Sequence, residues 1–363
     1  MSIKTNYLLA LHILILSLLA ACGGSSGSSS GAGAQLDDDS SESITDQVST
    51  EVGDQSSDGN EVDSTDVSDA ADDLDTVNYK DAILIERNVD CESRLADYEA
   101  SVRDLQNNLD FNSEVSISLD ADECVLTANG IPNHDFNDES ARFATDVSAI
   151  NRSFRFPQTP SFAASASPLS QQSYDAVMLN GVVLDILSAG CYKPNDAMAD
   201  TDGNVPVGCR LEDGWLLDPL SPLNRFGTDL HNAHTQPDGT YHYHGNPMAL
   251  FDDLPGSFGS PVIGYAADGF PIYGSYFYDE SEGRVRKALS GYELKTGERP
   301  SGEANPSGNY DGQYIDDYEF TGAGDLDECN GMLVNGQYAY YVSDNYPWVI
   351  ACFKGEVNAS FQK

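Results

Sequence analysis

The chain has 363 residues and carries 18 basic side chains against 59 acidic ones, a formal charge of -41. Phosphate backbones are gripped by clustered Lys and Arg, so this balance excludes a nucleic-acid binder. The deficit is uneven: no Lys or Arg occurs between Thr5 and Tyr79, where Asp37 to Asp75 hold fifteen Asp and Glu, yet the region from Lys80 onward still carries about -27 and would resist docking onto anionic headgroups.

Residues 1–21 read as an address. Lys4 is a short positive start, Tyr7 to Leu19 is almost wholly apolar, and Leu19-Ala20-Ala21-Cys22 sets small residues before a cysteine. Thirteen apolar residues are too few to remain as a spanning helix. The pattern resembles the lipobox of bacterial lipoproteins, in which cleavage precedes the cysteine and its thiol takes a diacylglyceride. That resemblance implies a lipid on Cys22, a membrane anchor, and an exported chain held in the cell envelope. In a host with two membranes, the neutral Gly23 after the cysteine resembles sequences sent to the outer membrane. An ordinary signal peptide cut near Ala21 is the alternative.

Residues 22–78 follow as a tether, Gly/Ser-rich and then acidic, with aliphatics too sparse for a core and charges that repel one another. Gly23-Gly24-Ser25-Ser26-Gly27 matches the GxSxG of serine hydrolases only formally, since no strand-like run precedes it and no helical one follows. Over residues 79–110, Leu95, Tyr98, Val102, Leu105 and Leu109 recur three and four apart, which predicts a helix of about Cys91 to Leu109. After Asp110 the texture changes. Val115-Ser116-Ile117-Ser118-Leu119 alternates, and Gly, Pro, Asn and Asp punctuate every few residues, as in short strands joined by tight turns. The expected fold is mainly β with short helices and long loops: a compact, sandwich-like β-domain over residues 111–355 with a tail of 356–363, preceded by the short helix and the disordered tether.

Export bears on the remaining cysteines, because an oxidising compartment favours disulfides. Cys91, Cys124, Cys191, Cys209, Cys329 and Cys352 allow fifteen connectivities. Proximity favours Cys91–Cys124, Cys191–Cys209 and Cys329–Cys352, each closure worth about 3 kcal/mol in the chain-entropy model. None lies in a CxxC, which speaks against thiol redox catalysis and a cysteine-type zinc site.

Four of the six histidines, His231, His234, His242 and His244, fall within fourteen residues. Between the two inner ones lies Pro237-Asp238-Gly239, which suits a three-residue hairpin loop closed by a left-handed glycine. Pairing Gln236 with Thr240 then places His234 opposite His242 and Asn232 opposite His244. Alternate residues share a face, so the three histidines and Asn232 point one way, Tyr241 and Tyr243 the other. Three imidazoles converging from two strands can hold a divalent transition ion, copper or zinc, with a fourth position open. His231 could add a ligand from the start of the strand. The competing reading is of hairpin histidines stacked on aromatics or bonded to backbone.

Tyr241-His242-Tyr243-His244 resembles the signature of the YHYH domain family, a group of mostly exported bacterial proteins. The resemblance extends in order through Asn129-Gly130-Ile131-Pro132-Asn133-His134, Asn180-Gly181-Val182, the Gly264 to Gly274 block, Leu326-Asp327-Glu328-Cys329-Asn330-Gly331 and the closing Tyr338 to Phe353, covering about Phe111 to Gly355. It makes His134 a further candidate ligand, with capping of the turn at Pro132 the plainer role. Where many members have a cysteine close before the first histidine pair, this chain has Asp229. Asn232, Asp229, Asp268, Tyr241 and Tyr243 are the candidates for supporting positions around the ligands. Asp200-Thr201-Asp202-Gly203-Asn204 is similar to a calcium loop, but Val205 and Leu211 replace the glycine and the bidentate Glu of an EF-hand, so a solvated turn explains it as well.

Three functions follow as expectations. The first is an envelope-anchored protein that binds a transition metal for handling or presentation. The second is a metal-dependent hydrolase or copper/iron oxidoreductase, for which hydrolysis needs a base such as Asp268, Asp229 or Glu328. The third is a carbohydrate-binding or adhesive module for a glycan or other small-molecule ligand, with tyrosines exposed as stacking platforms and the histidines structural.

Overall fold

The computed structural model describes residues 76–363; the address segment, Cys22 and the tether up to residue 75 lie outside them. No described helix is long and apolar enough to cross a membrane. The chain is mainly β, and its helical turns are short 3-10 segments such as Cys91–Arg94.

The first sheet has five strands in chain order: Thr76–Asn78, Ala96–Asp104, Leu109–Asp120, Glu123–Ala128 and Arg152–Pro157. All neighbours are antiparallel except the short first strand, which runs parallel to the second. Here the helix expected over Cys91 to Leu109 does not form. Ala96–Asp104 pairs along its whole length with Leu109–Asp120. Burial explains why: Ala100 and Val102 are 2% and 3% exposed, whereas Leu95, Leu105 and Leu109 of the helical stripe are 36%, 47% and 51% exposed. The period of two wins because it buries its apolar members against the sheet, and the three-four spacing of leucines is incidental. Asp104 hid the alternation, since its buried carboxylate ends the inward row while accepting from Asn107 and Asn137.

The second sheet has eight strands in the order Ala233–Thr235, Tyr241–Tyr243, Val183–Leu184, Ala176–Met178, Val262–Ala266, Pro271–Tyr273, Gln337–Tyr341 and Gly331–Val334. Its middle strands are buried on both faces, Val262–Ala266 at every residue, which is why they read as continuous apolar runs. The two sheets share one core. Phe156 of the first stacks on Tyr265 of the second at 4.5 Å between ring centroids. Gly181 brings the backbones together: a Cβ there would lie 2.5 Å from the Ala128 Cβ. The segment 79–110 therefore packs in the same core as the strands that follow it.

The three disulfides join Cys91 to Cys124, Cys191 to Cys209 and Cys329 to Cys352. Six tyrosines are interior: Tyr174, Tyr241, Tyr243, Tyr314, Tyr340 and Tyr341 are fully buried. These six are not stacking platforms, whereas Tyr278 is 40% exposed.

Candidate metal centre

The hairpin that ends the second sheet turns at Pro237-Asp238-Gly239. Gln236 N donates to Thr240 O at 2.9 Å, Gly239 N donates to Gln236 O at 2.9 Å, and Gly239 has φ 89°. The Asp238 carboxylate accepts from Thr240 N at 3.0 Å, fixing the bend from within. The resulting register sets His234 opposite His242 and Ala233 opposite Tyr243, and His244 N donates to Asn232 O at 2.9 Å. Asn232 is left-handed, φ 56°, and its side chain turns away to the Asn246 carbonyl.

Three Nε2 atoms meet on one face. His242 and His244 are 3.1 Å apart at Nε2, and His244 and His234 are 3.0 Å apart. His234 donates from Nδ1 to the Phe226 carbonyl at 2.8 Å, and His242 from Nδ1 to the Thr240 carbonyl at 3.2 Å. Those bonds leave the Nε2 lone pairs of both rings facing the cluster. His242 and His244 are 3% and 2% exposed. Burial, reinforced by neighbouring imidazoles, holds both well below the usual imidazole range, and burial likewise lowers His234. Neutral rings with lone pairs 3.0 to 3.1 Å apart repel unless a proton or a cation lies among them. The Nδ1 of His244 is buried without a hydrogen-bond partner. The donor set fits a borderline ion: ligand atoms at about 2.0–2.1 Å on a tetrahedral centre lie about 3.3 Å apart, a few tenths wider than these. Among the described residues these three are the only histidine group so placed, since the other cluster that geometry brings together contains the Cys191–Cys209 disulfide.

The tyrosines of the same strand hold it from behind. Tyr241 donates to Asp229 Oδ2 at 2.8 Å, while Tyr243 donates to His134 Nε2 at 2.7 Å and accepts from Asn180 Nδ2 at 2.9 Å. Alternation along Tyr241–Tyr243 thus gives the motif two jobs, with histidines gathered on one face and tyrosines bolted to buried polar groups on the other.

Several expected site residues stand apart from the cluster. His134 uses both nitrogens, donating from Nδ1 to the Asp135 carbonyl at 2.8 Å and accepting from Tyr243; burial pushes it down to about 3. His231 stacks on His134 at 3.7 Å and donates to the Pro247 carbonyl at 2.9 Å. Both lie on the tyrosine side: the left-handed turn at Asn232 takes the preceding His231 off the face of His234, and His134 is held there by the Tyr243 hydroxyl. Asp229 accepts from Tyr241 and from the amides of His231 and Asn137. Asp268 accepts from Tyr340 at 2.6 Å and from three backbone amides, and Glu328 is paired with Lys354 at 2.7 Å. None of these carboxylates has an imidazole of the cluster as a partner. The Asp200 loop is a turn closed on itself, Asp200 Oδ1 accepting from the amides of Asp202 and Asn204.

The sequence reading missed Phe226. Its carbonyl fixes the His234 tautomer and its ring lies 6.3 and 6.5 Å from the rings of His234 and His244. Its one signal was the neighbouring Gly227, φ 71°, where a Cβ would meet the Arg142 carbonyl at 2.4 Å. Missed too was Asp185, which accepts from Gln236 at the hairpin and pairs with Lys363.

A family model described as YHYH protein matches residues 153–355, a span that contains the whole hairpin. No curated protein and no solved structure matches the chain.

Proposed function

The chain belongs to the YHYH protein family, and from the geometry of its hairpin we propose that it is an envelope-anchored protein that holds one divalent transition metal, zinc or copper, through Nε2 of His234, His242 and His244. The observation that carries this reading is the convergence of three imidazoles, two of them buried, with Nε2 of His244 3.1 Å from that of His242 and 3.0 Å from that of His234. Such an ion would neutralise the crowded lone pairs and could polarise a fourth ligand. The lipid on Cys22 and the outer-membrane destination rest on Leu19-Ala20-Ala21-Cys22-Gly23; with them, the function is metal handling or presentation at the cell surface. Binding is favoured over hydrolysis because Asp229, Asp268 and Glu328 are engaged by other partners.

Metal analysis of the chain, refolded without a histidine tag, tests the reading. One ion per chain is expected in the wild type and less than a tenth of that in His242→Ala and His244→Ala, as loss of one of three ligands implies. Equal metal content in all three samples would discard it.

A further inference from the structure

On the tyrosine side of the hairpin, away from the three imidazoles, lies an open cleft of about 360 Å³. Its polar side chains are acceptors. His231 donates from Nδ1 to the Pro247 carbonyl, and its Nε2 has no hydrogen-bond partner among the described residues. The Asp81 side chain makes no hydrogen bond or ion pair there, and Asp138 accepts from Leu230 N and Ser140. Asp135 is already paired with Lys80 at 3.3 Å and accepts from Arg103 N at 2.9 Å. The cleft offers sites to a donor, and its lining has no free side-chain donor among the described residues.

Its rim is apolar. Leu230 is 68% exposed, with Leu105 at 47% and Ile83 at 44%. The apolar surface continues along the chain from Ile83 to Ile85, because Leu84 N bonds Leu250 O and Val262 N bonds Glu86 O, which lays this segment beside the loop bearing exposed Leu254 and Phe258. An apolar strip of this extent around an acidic floor marks an interaction surface. The acids oppose an anionic membrane, and the net charge of -41 opposes a second copy.

We propose that this cleft docks a partner polypeptide, taking an arginine or lysine side chain toward Asp81, Asp138 and the free His231 nitrogen while flanking aliphatic residues cover Leu230 and Ile83. The volume suits one long side chain, being at the small end of ligand sites. The apolar strip beyond it favours a peptide over a small organic cation. The site is independent of the proposed metal.

Fluorescence anisotropy of the full chain with a labelled peptide holding one arginine between leucines tests this, beside the same peptide with neutral citrulline in place of arginine. Saturable binding is expected for the arginine peptide, weakening with salt, with the citrulline peptide about tenfold weaker or more. Asp81→Asn combined with Leu230→Ser alters two exposed side chains; it should leave the unfolding temperature unchanged and weaken the arginine peptide at least about fivefold. Equal affinity for the two peptides, or no effect of the paired substitutions, would overturn the proposal. So would Leu230-dependent sedimentation with phosphatidylglycerol vesicles, or a Leu230-dependent dimer, each of which assigns the surface to another occupant.

Discussion

His244 sets the chemistry of the cluster at the scale of a single ring, because its Nδ1 has no partner while its Nε2 faces two other acceptor nitrogens. Burial keeps these imidazoles neutral well below the ordinary value near 6.5. Protons therefore compete poorly for Nε2 in mildly acidic solution. Metal retention is expected to stay level from pH 7.5 to about 5.5, as measured by equilibrium dialysis, whereas an exposed histidine site would release its ion near pH 6.5. A second residue-scale outcome concerns Asp218, whose Oδ2 is buried without a partner while Oδ1 accepts from Leu220 N and Trp348 Nε1. Burial raises it from 3.8 to about 6. A folded value above the unfolded one means that the stability from this group is full below about pH 4 and is lost as pH rises through 6. Asp218→Asn should then stabilise the chain by about 1–3 kcal/mol at pH 7 and by almost nothing at pH 4, read from urea unfolding. At this scale the sequence was only partly legible. It named the five histidines of the described residues, but His231 was separable from the cluster only through the left-handed backbone at Asn232 and His134 only through its bond to Tyr243, neither of which spacing reveals.

The hairpin and the misjudged helix show what makes an element readable. Pro237-Asp238-Gly239 carries its own geometry: a fixed φ, a carboxylate that bonds the next amide and a residue free to be left-handed. The register followed from three adjacent residues, and His234 faces His242 as the turn requires. The strand Ala96–Asp104 carries no such local instruction. Its identity comes from a partner strand a turn away, and leucines at its margins imitate a helical stripe. The glycine of the bend is the place to test the element. Gly239→Val would force a β-branched residue to φ 89°, and even its Cβ would meet Ser148 Oγ at 2.6 Å. A loss of about 2 kcal/mol or more is expected by urea unfolding, together with weakened metal binding, because the register that gathers the rings is what suffers. Tyr243→Phe separates packing from register. It removes the hydroxyl shared by His134 and Asn180, and is expected to cost about 1–3 kcal/mol while keeping one ion per chain.

Across the whole molecule, two sheets share one core and three short-range disulfides close the loops around it. That architecture was legible because turn residues, alternation and an even cysteine count are each local signals. The packing of residues 79–110 into the main core was not, since it depends on contacts between segments far apart in sequence. The histidine hairpin sits at the edge of the second sheet. A lipid on Cys22, as proposed from Leu19-Ala20-Ala21-Cys22, predicts that Cys22→Ser moves the chain from the membrane pellet to the soluble envelope fraction. An unchanged distribution would contradict it. The most direct measurement is X-ray absorption on the zinc- or copper-loaded chain. Three imidazole nitrogens at about 2.0–2.1 Å are expected in the wild type, and two or fewer around the small fraction of metal that His244→Ala retains. A first coordination sphere of carboxylate oxygens, or an unchanged spectrum in that variant, would contradict the central claim that His234, His242 and His244 hold one ion together.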